Sequence, residues 1–176
     1  MKTDFIKYAL VVLVGALACR ASDAKPAPEY RAKQIAFEQI PHLFNDQKKS
    51  FLYSGGLAEQ ILSAMEVSIS SDDNPHSISR ELVMFSGCRK ESCDEKSVAI
   101  VDLRVNRTVG VGIRHFSCVD DCEPYATVDY YMFRYSESDR TYTKIPEFLE
   151  TWGARVGYSK KRLHYCSVAL GVAVCN

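Results

Sequence analysis

The sequence lacks an apolar run long enough to cross a membrane. Its most apolar stretch, residues 8–18, is about half as long as a transmembrane helix requires. Lys2 and Lys7 precede this stretch and small residues follow it, which is the pattern of a secretory signal peptide. We therefore expect residues 1–24 to be a signal peptide, residues 25–176 to form one domain, and no segment to span a membrane.

The leader permits two kinds of processing. Cleavage after Ala18 or Ala24 suits an ordinary signal peptidase, because both are small residues. The alternative is that Ala16-Leu17-Ala18-Cys19, which resembles a lipoprotein box, makes Cys19 the acylated first residue and a lipid anchor. In either case Cys19 is not expected to belong to the structural thiols.

The sequence also lacks an excess of charge of either sign. It has 22 basic and 22 acidic residues, which give a formal net charge of +0. Nucleic acids and anionic membranes attract proteins with an excess of basic residues. We therefore expect no nucleic-acid partner.

Signatures of catalysis and of metal binding are missing as well. There is no His-Glu-x-x-His motif, no Gly-x-Ser-x-Gly elbow and no phosphate-binding glycine loop. The four histidines are far apart in the chain: His42, His76, His115 and His164. We interpret His115, at the end of a predicted strand, as exposed or hydrogen-bonded rather than as a general base. We therefore expect a protein that is not an enzyme and that holds no metal and no cofactor.

What the sequence does contain is six cysteines beyond the leader, in three close pairs. An even number of cysteines in an exported chain indicates disulfides. The simplest pairing joins nearest neighbours: Cys88–Cys93, Cys118–Cys122 and Cys166–Cys175. A zinc site built from the first four thiols is the alternative, although their spacings differ from the usual Cys-x2-Cys.

The spacing of apolar residues predicts an α+β domain. Helical periodicity predicts helices over residues 28–40, 57–65 and 143–152, the first of them ended by Pro41. Alternation predicts strands over residues 80–86, 97–105, 108–113, 127–135 and 163–174, and a short one at residues 65–69. This order predicts one domain with an antiparallel sheet of about five strands and flanking helices. Gly110 and Gly112 predict a bulge or a place where another element packs against the backbone.

A charged segment, Cys88-Arg89-Lys90-Glu91-Ser92-Cys93, connects two of the predicted strands. A disulfide across so short a loop contributes only about 2 kcal/mol to stability. A rigid, charged loop suits binding, because a loop that is already ordered loses little entropy when it docks. We therefore predict that Arg89, Lys90, Glu91 and Ser92 contact a partner, the alternative being a strand connection clipped for stability.

The stretch Met84-Phe85-Ser86-Gly87-Cys88-Arg89-Lys90-Glu91-Ser92-Cys93 resembles the core of the inhibitor of vertebrate lysozyme family. The strands predicted over residues 97–105 and 108–113 fit the same pattern, so that the resemblance covers about residues 80–115. It implies a periplasmic protein whose Cys-x4-Cys disulfide loop projects from an antiparallel sheet and plugs the active-site cleft of C-type lysozyme. With Cys19 acylated, the location would be that of an outer-membrane lipoprotein.

The loop departs from the family pattern, which typically is Cys-Lys-Pro-His-Asp-Cys with a histidine that contacts the catalytic carboxylates. Arg89 matches the basic position, but Lys90, Glu91 and Ser92 replace proline, histidine and aspartate. Carboxylates would repel Glu91, whereas Arg89 or Lys90 could supply a cationic contact. Another peptidoglycan hydrolase is therefore an equal expectation for the partner, such as a muramidase or amidase toxin from a rival bacterium, with this chain as the immunity protein.

A second charged loop carries Asp120, Asp121 and Glu123 around Cys118–Cys122. It is either a further contact to a basic enzyme surface or a solvated turn. Together, these patterns predict a periplasmic inhibitor or immunity protein that blocks the active site of a peptidoglycan-cleaving enzyme. The alternative is an envelope-anchored structural or ligand-binding lipoprotein without inhibitory activity, and a homodimer is the further partner that we consider.

Overall fold

The structure is a computed structural model, and it describes residues 27–45, 47–48, 55–68, 78–118, 122–136 and 143–176. The predicted signal peptide and Cys19 lie outside these ranges. The three helices are α1 (Pro28–Phe44), α2 (Leu57–Ser63) and α3 (Ile145–Val156). The strands are β1 (Val67–Ser68), β2 (Leu82–Arg89), β3 (Ser92–Asp102), β4 (Arg107–His115), β5 (Thr127–Arg134), β6 (Lys160–Ala169) and β7 (Val172–Cys175).

The strands form one sheet in sequence order, from β1 at one edge to β7 at the other. All neighbours are antiparallel except β5 and β6, which are parallel because α3 crosses over between them. The α+β class is confirmed, but the sheet has seven strands rather than about five. The single strand predicted over residues 163–174 is wrong, since a turn at Leu170 and Gly171 divides it into β6 and β7.

Helix α1 continues past Pro41, where the sequence predicted its end. Proline removes one helical hydrogen bond, but its own carbonyl still accepts the amide of Asn45 at 3.0 Å. The extra turn buries Leu43 and Phe44, and the ring of Phe44 packs edge-on against Tyr131 with centroids 4.9 Å apart. The free energy gained by burying Leu43 and Phe44 outweighs the loss of one helical hydrogen bond at Pro41.

The sheet has an apolar layer on each face. Because side chains alternate along a strand, Tyr131 faces α1 and α2, whereas Tyr130 faces α3. The prediction of close packing at the glycines is confirmed on the α3 face. A methyl group at Gly112 would lie 3.0 Å from the ring of Trp152, and one at Gly110 would lie 2.7 Å from Ile145.

Candidate functional site

All six described cysteines are joined as the sequence predicted: Cys88–Cys93, Cys118–Cys122 and Cys166–Cys175. Because these sulfurs are bonded to one another, they are not available as zinc ligands. Three disulfides in so small a domain are typical of an extracytoplasmic protein. Within the described ranges, no helix is both long enough and apolar enough to cross a membrane.

The tip between β2 and β3 is a two-residue turn of Lys90 and Glu91, which we call the β2–β3 tip. Arg89 pairs with Ser92 across it, and Glu91 has a φ of 70°. The next pair is Cys88 with Lys96, so that residues 93–95 have no counterpart on β2 and form a bulge. The Cys88–Cys93 disulfide closes this bulge.

Beneath the tip, Arg89 points inward. Its Nε donates a hydrogen bond to Glu95, and its Nη1 donates to the Ser63 hydroxyl at 3.0 Å. Glu95 is 2% exposed and the Arg89 side chain 15% exposed, so that this ion pair is largely removed from water. It connects the bulge to the end of α2.

Neighbouring strands hold the base of the tip on both sides. β1 pairs with Gly87 and Cys88, and a methyl group at Gly87 would lie 2.7 Å from the carbonyl of Val67. On the other side, Arg114 of β4 donates to the carbonyls of Asp94 and Gly157. The base is thus fixed by two strands, a disulfide and a buried ion pair.

The four residues of the predicted loop have different surroundings. Lys90 and Glu91 are exposed, Ser92 is half-buried, and Arg89 is engaged with Glu95 and Ser63. A partner can therefore approach Lys90 and Glu91 directly, whereas Arg89 stabilises the base. The contact of these residues with a partner stays a prediction.

Of the three acidic residues in the second predicted loop, the structure describes Glu123, whereas Asp120 and Asp121 lie outside the described residues. Glu123 accepts a hydrogen bond from Nζ of Lys160 at 2.9 Å, and its amide donates to the carbonyl of Ser117. The hydrogen bond from Lys160 and its positive charge lower the pKa of Glu123. Glu123 is thus engaged within the chain.

A buried polar cluster, which the sequence did not predict, lies between β4, β5 and β6. The carboxylate of Asp129 is 2.8 Å from Nε2 of His115 and 3.1 Å from Nε2 of His164, and it accepts two hydrogen bonds from Arg162. Burial by itself raises the pKa of Asp129, but the bonds from His115, His164 and Arg162 outweigh it and hold that pKa well below its ordinary value. The signal in the sequence was an aspartate in the middle of an apolar strand.

This Asp129 cluster is arranged to stabilise the fold. His115 and Asp129 are 0% and 1% exposed, so that both side chains lie inside the domain rather than at its surface. The ring of His164 stacks on Tyr131 with centroids 4.6 Å apart. The cluster therefore attaches β6 to the centre of the sheet, and the interpretation of His115 as hydrogen-bonded is confirmed.

No protein-family model, no curated protein and no solved structure matches this chain.

Proposed function

We propose that this chain is a periplasmic protein, not an enzyme, that inhibits a peptidoglycan-cleaving enzyme by inserting the β2–β3 tip into its active site. The supporting observation is the combination of an exposed turn, Lys90 and Glu91, with a base that is fixed by the Cys88–Cys93 disulfide and the Arg89–Glu95 ion pair. In a bacterium exposed to rival toxins, such a protein would serve as an immunity protein.

The shape of the tip supports this proposal. A two-residue turn is narrow enough to enter the cleft in which a hydrolase holds a polysaccharide or a peptide strand. Its backbone is already ordered by the disulfide and by β1 and β4, so that little conformational entropy is lost on docking. The resemblance to the lysozyme-inhibitor family over about residues 80–115 agrees with this use of the loop.

The charges of Lys90 and Glu91 determine which groups of a target enzyme the tip would contact. Since Arg89 is turned toward Glu95, Lys90 is the cation at the apex that is able to meet the carboxylates of a muramidase. Glu91 would be repelled by those carboxylates and would need a basic group of the target beside it. Exchanging the two charges should therefore weaken binding without disturbing the buried base.

The test uses the exported, mature protein against purified C-type lysozyme, bacterial muramidases and peptidoglycan amidases. Inhibition is measured as the rate of peptidoglycan solubilisation, and affinity by calorimetry. We expect at least one enzyme to be inhibited, and the double exchange Lys90→Glu with Glu91→Lys to weaken its binding about 30-fold or more, as for a residue pair at an interface centre.

The matched control is Glu38→Lys, which reverses an exposed charge on α1. It should leave inhibition unchanged. Equal inhibition by the wild type and by the tip variant would rule out insertion of the tip. Failure to inhibit any enzyme of the three classes would rule out the proposed function.

A further inference from the structure

A groove lies at the end of the sheet opposite the β2–β3 tip. The strand registers place the β3–β4 turn and the β6–β7 turn at that end, and the last turn of α1 forms the third wall. The groove has a volume of about 600 Å³. Its apolar lining comprises Leu43, Val105, Val168, Leu170 and Val172.

Leu170, at the lip of this groove, departs from two general preferences. Large apolar side chains are usually buried, and turn residues with a positive φ are usually asparagine or glycine. Leu170 is 104% exposed, which is more than any other large apolar side chain among the described residues. It also has a φ of 51° and is followed by Gly171 with a φ of 82°, in a two-residue hairpin turn that asparagine and glycine normally occupy. A leucine that is both strained and exposed at a turn points to a contact made outside the chain.

The rim of the groove is polar and already ordered. Gln39 donates to the carbonyl of Asn106 at 2.7 Å and accepts from the amide of Thr108 at 2.8 Å. The guanidinium of Arg107 lies 4.7 Å from the centre of the Tyr135 ring. An apolar centre with a polar, ordered rim is the usual composition of a protein interface.

We propose that this surface joins two copies of the chain, with Leu170 of each protomer seated in the groove of its partner. The protruding side chain and the groove are adjacent on one surface, so a two-fold axis through that surface lets both contacts form at once and closes the assembly at a dimer. The β2–β3 tips of the two protomers lie at the far ends and remain accessible, so the dimer is independent of the proposed inhibition.

The exposed apolar area agrees with a weak dimer. The exposed fractions of Val105, Leu170 and Val172 correspond to nearly two whole side chains, on the order of 300 Å² per protomer. With a polar rim in the usual proportion, each protomer contributes roughly 500 to 600 Å², and the pair buries about 1,000 Å² or slightly more. This is the lower limit for a specific interface, which indicates a dimer that dissociates on dilution.

The test is sedimentation velocity of the mature protein from about 1 µM to about 1 mM. We expect the wild type to change from monomer to dimer over this range. Leu170→Asn should weaken dimerisation at least about tenfold, while its thermal midpoint stays equal or rises, because asparagine tolerates a positive φ. This variant therefore separates the interface from the fold.

Val174→Thr is the matched control. Val174 is a 67% exposed residue of the same hairpin that does not line the groove. Its substitution should leave the dimerisation constant unchanged. A wild type that stays monomeric at the highest concentration would overturn the proposal, and so would a Leu170→Asn protein that dimerises as tightly as the wild type.

Discussion

Nε2 of His115 lies 2.8 Å from Oδ2 of Asp129, and both side chains are buried in the sheet. His164 and Arg162 of β6 bind the same carboxylate. β6 and β7 are also joined to the domain by backbone hydrogen bonds to β5, by the buried side chains of Cys166 and Ala173, and by a hydrogen bond from Gln47 to the carbonyl of Ala173. One carboxylate thus connects three strands, and its removal should reveal how much the edge hairpin depends on it.

We expect Asp129→Asn to lower the free energy of unfolding by about 2 to 4 kcal/mol at neutral pH, because charge-assisted hydrogen bonds from three residues are weakened. Urea denaturation followed by circular dichroism measures this difference. Glu38→Gln, an exposed carboxylate on α1, is the matched control and should change stability by less than about 0.5 kcal/mol.

The cost of Asp129→Asn should also depend on pH. The pKa of Asp129 is lower in the folded protein than its ordinary value of 3.8, so the unfolded chain binds more protons near that pH. The stabilisation is complete above the unfolded pKa and is lost as the pH falls toward the folded one. The difference between wild type and variant should therefore be present at about pH 5 and shrink below about pH 4. A difference that grows as the pH falls below about 4 would contradict this assignment.

Removing one charge of the Arg89–Glu95 ion pair should destabilise the protein strongly. Removing both charges should destabilise it less than the two single changes added together. Arg89→Met leaves the Glu95 carboxylate buried without its guanidinium, and we expect a loss of about 3 kcal/mol. Arg89→Met combined with Glu95→Leu removes both charges and should be less destabilised than the sum of the single variants by about 2 kcal/mol. The free energies of unfolding of the four proteins, from urea denaturation, give this coupling energy.

The control for this cycle is the ion pair of Lys161 with Glu150, whose side chains are 45% and 43% exposed. Lys161→Met should leave the free energy of unfolding almost unchanged, because water screens an exposed pair. Similar costs for Arg89→Met and Lys161→Met would show that burial does not strengthen the dependence on the Arg89–Glu95 pair.

Close packing at Gly112 gives a further prediction. A methyl group there would lie 2.9 Å from Cγ1 of Val98 and 3.0 Å from the ring of Trp152, so Gly112→Ala should cost about 1 to 3 kcal/mol. Trp152 is the only tryptophan of the sequence, so the protein's fluorescence comes mainly from α3. In Gly112→Ala, we expect the emission to shift because α3 is displaced, and the unfolding midpoint to fall. Gly56→Ala is the matched control, because the nearest atom to its added methyl group would be the carbonyl oxygen of Gln47 at 3.9 Å. It should change the free energy of unfolding by less than about 1 kcal/mol.

Sequence periodicity predicted the features that depend on neighbouring residues. The alternation around Gly110 and Gly112 predicted the strand and the packing of another element on it, and the close cysteine pairs predicted the disulfides. The β6–β7 turn was missed because Leu170 is not a residue that typically signals a turn. The end of α1 was misplaced because burial of Phe44 opposes the effect of Pro41.

The Asp129 cluster could not be predicted in the same way. His115, Arg162 and His164 are 14, 33 and 35 residues away from Asp129 in the chain, and they meet it only through the registers of β4, β5 and β6. The direction of Arg89 likewise depends on the bulge at residues 93–95, which places Glu95 beneath the tip. Such contacts arise from strand pairing, which a single sequence does not specify.

Removing the Cys88–Cys93 disulfide and removing the Cys166–Cys175 disulfide should have different effects on inhibition, although their effects on stability should be similar. Replacing Cys88 and Cys93 by alanine opens a ring of 6 residues, and replacing Cys166 and Cys175 opens a ring of 10. Chain entropy assigns similar costs to both, about 2 to 3 kcal/mol. If the proposed inhibition is right, only the first pair should also weaken inhibition, by about tenfold or more, because the β2–β3 tip must then be ordered on binding.

Urea denaturation and the inhibition assay are performed on both double variants. The Cys166→Ala, Cys175→Ala protein is the matched control, since its lost disulfide lies in the β6–β7 hairpin, away from the tip. Equal weakening of inhibition by both variants would mean that global stability, not order in the tip, governs inhibition. Unchanged inhibition in the Cys88→Ala, Cys93→Ala protein would mean that the base is held well enough by Arg89, Glu95 and the neighbouring strands.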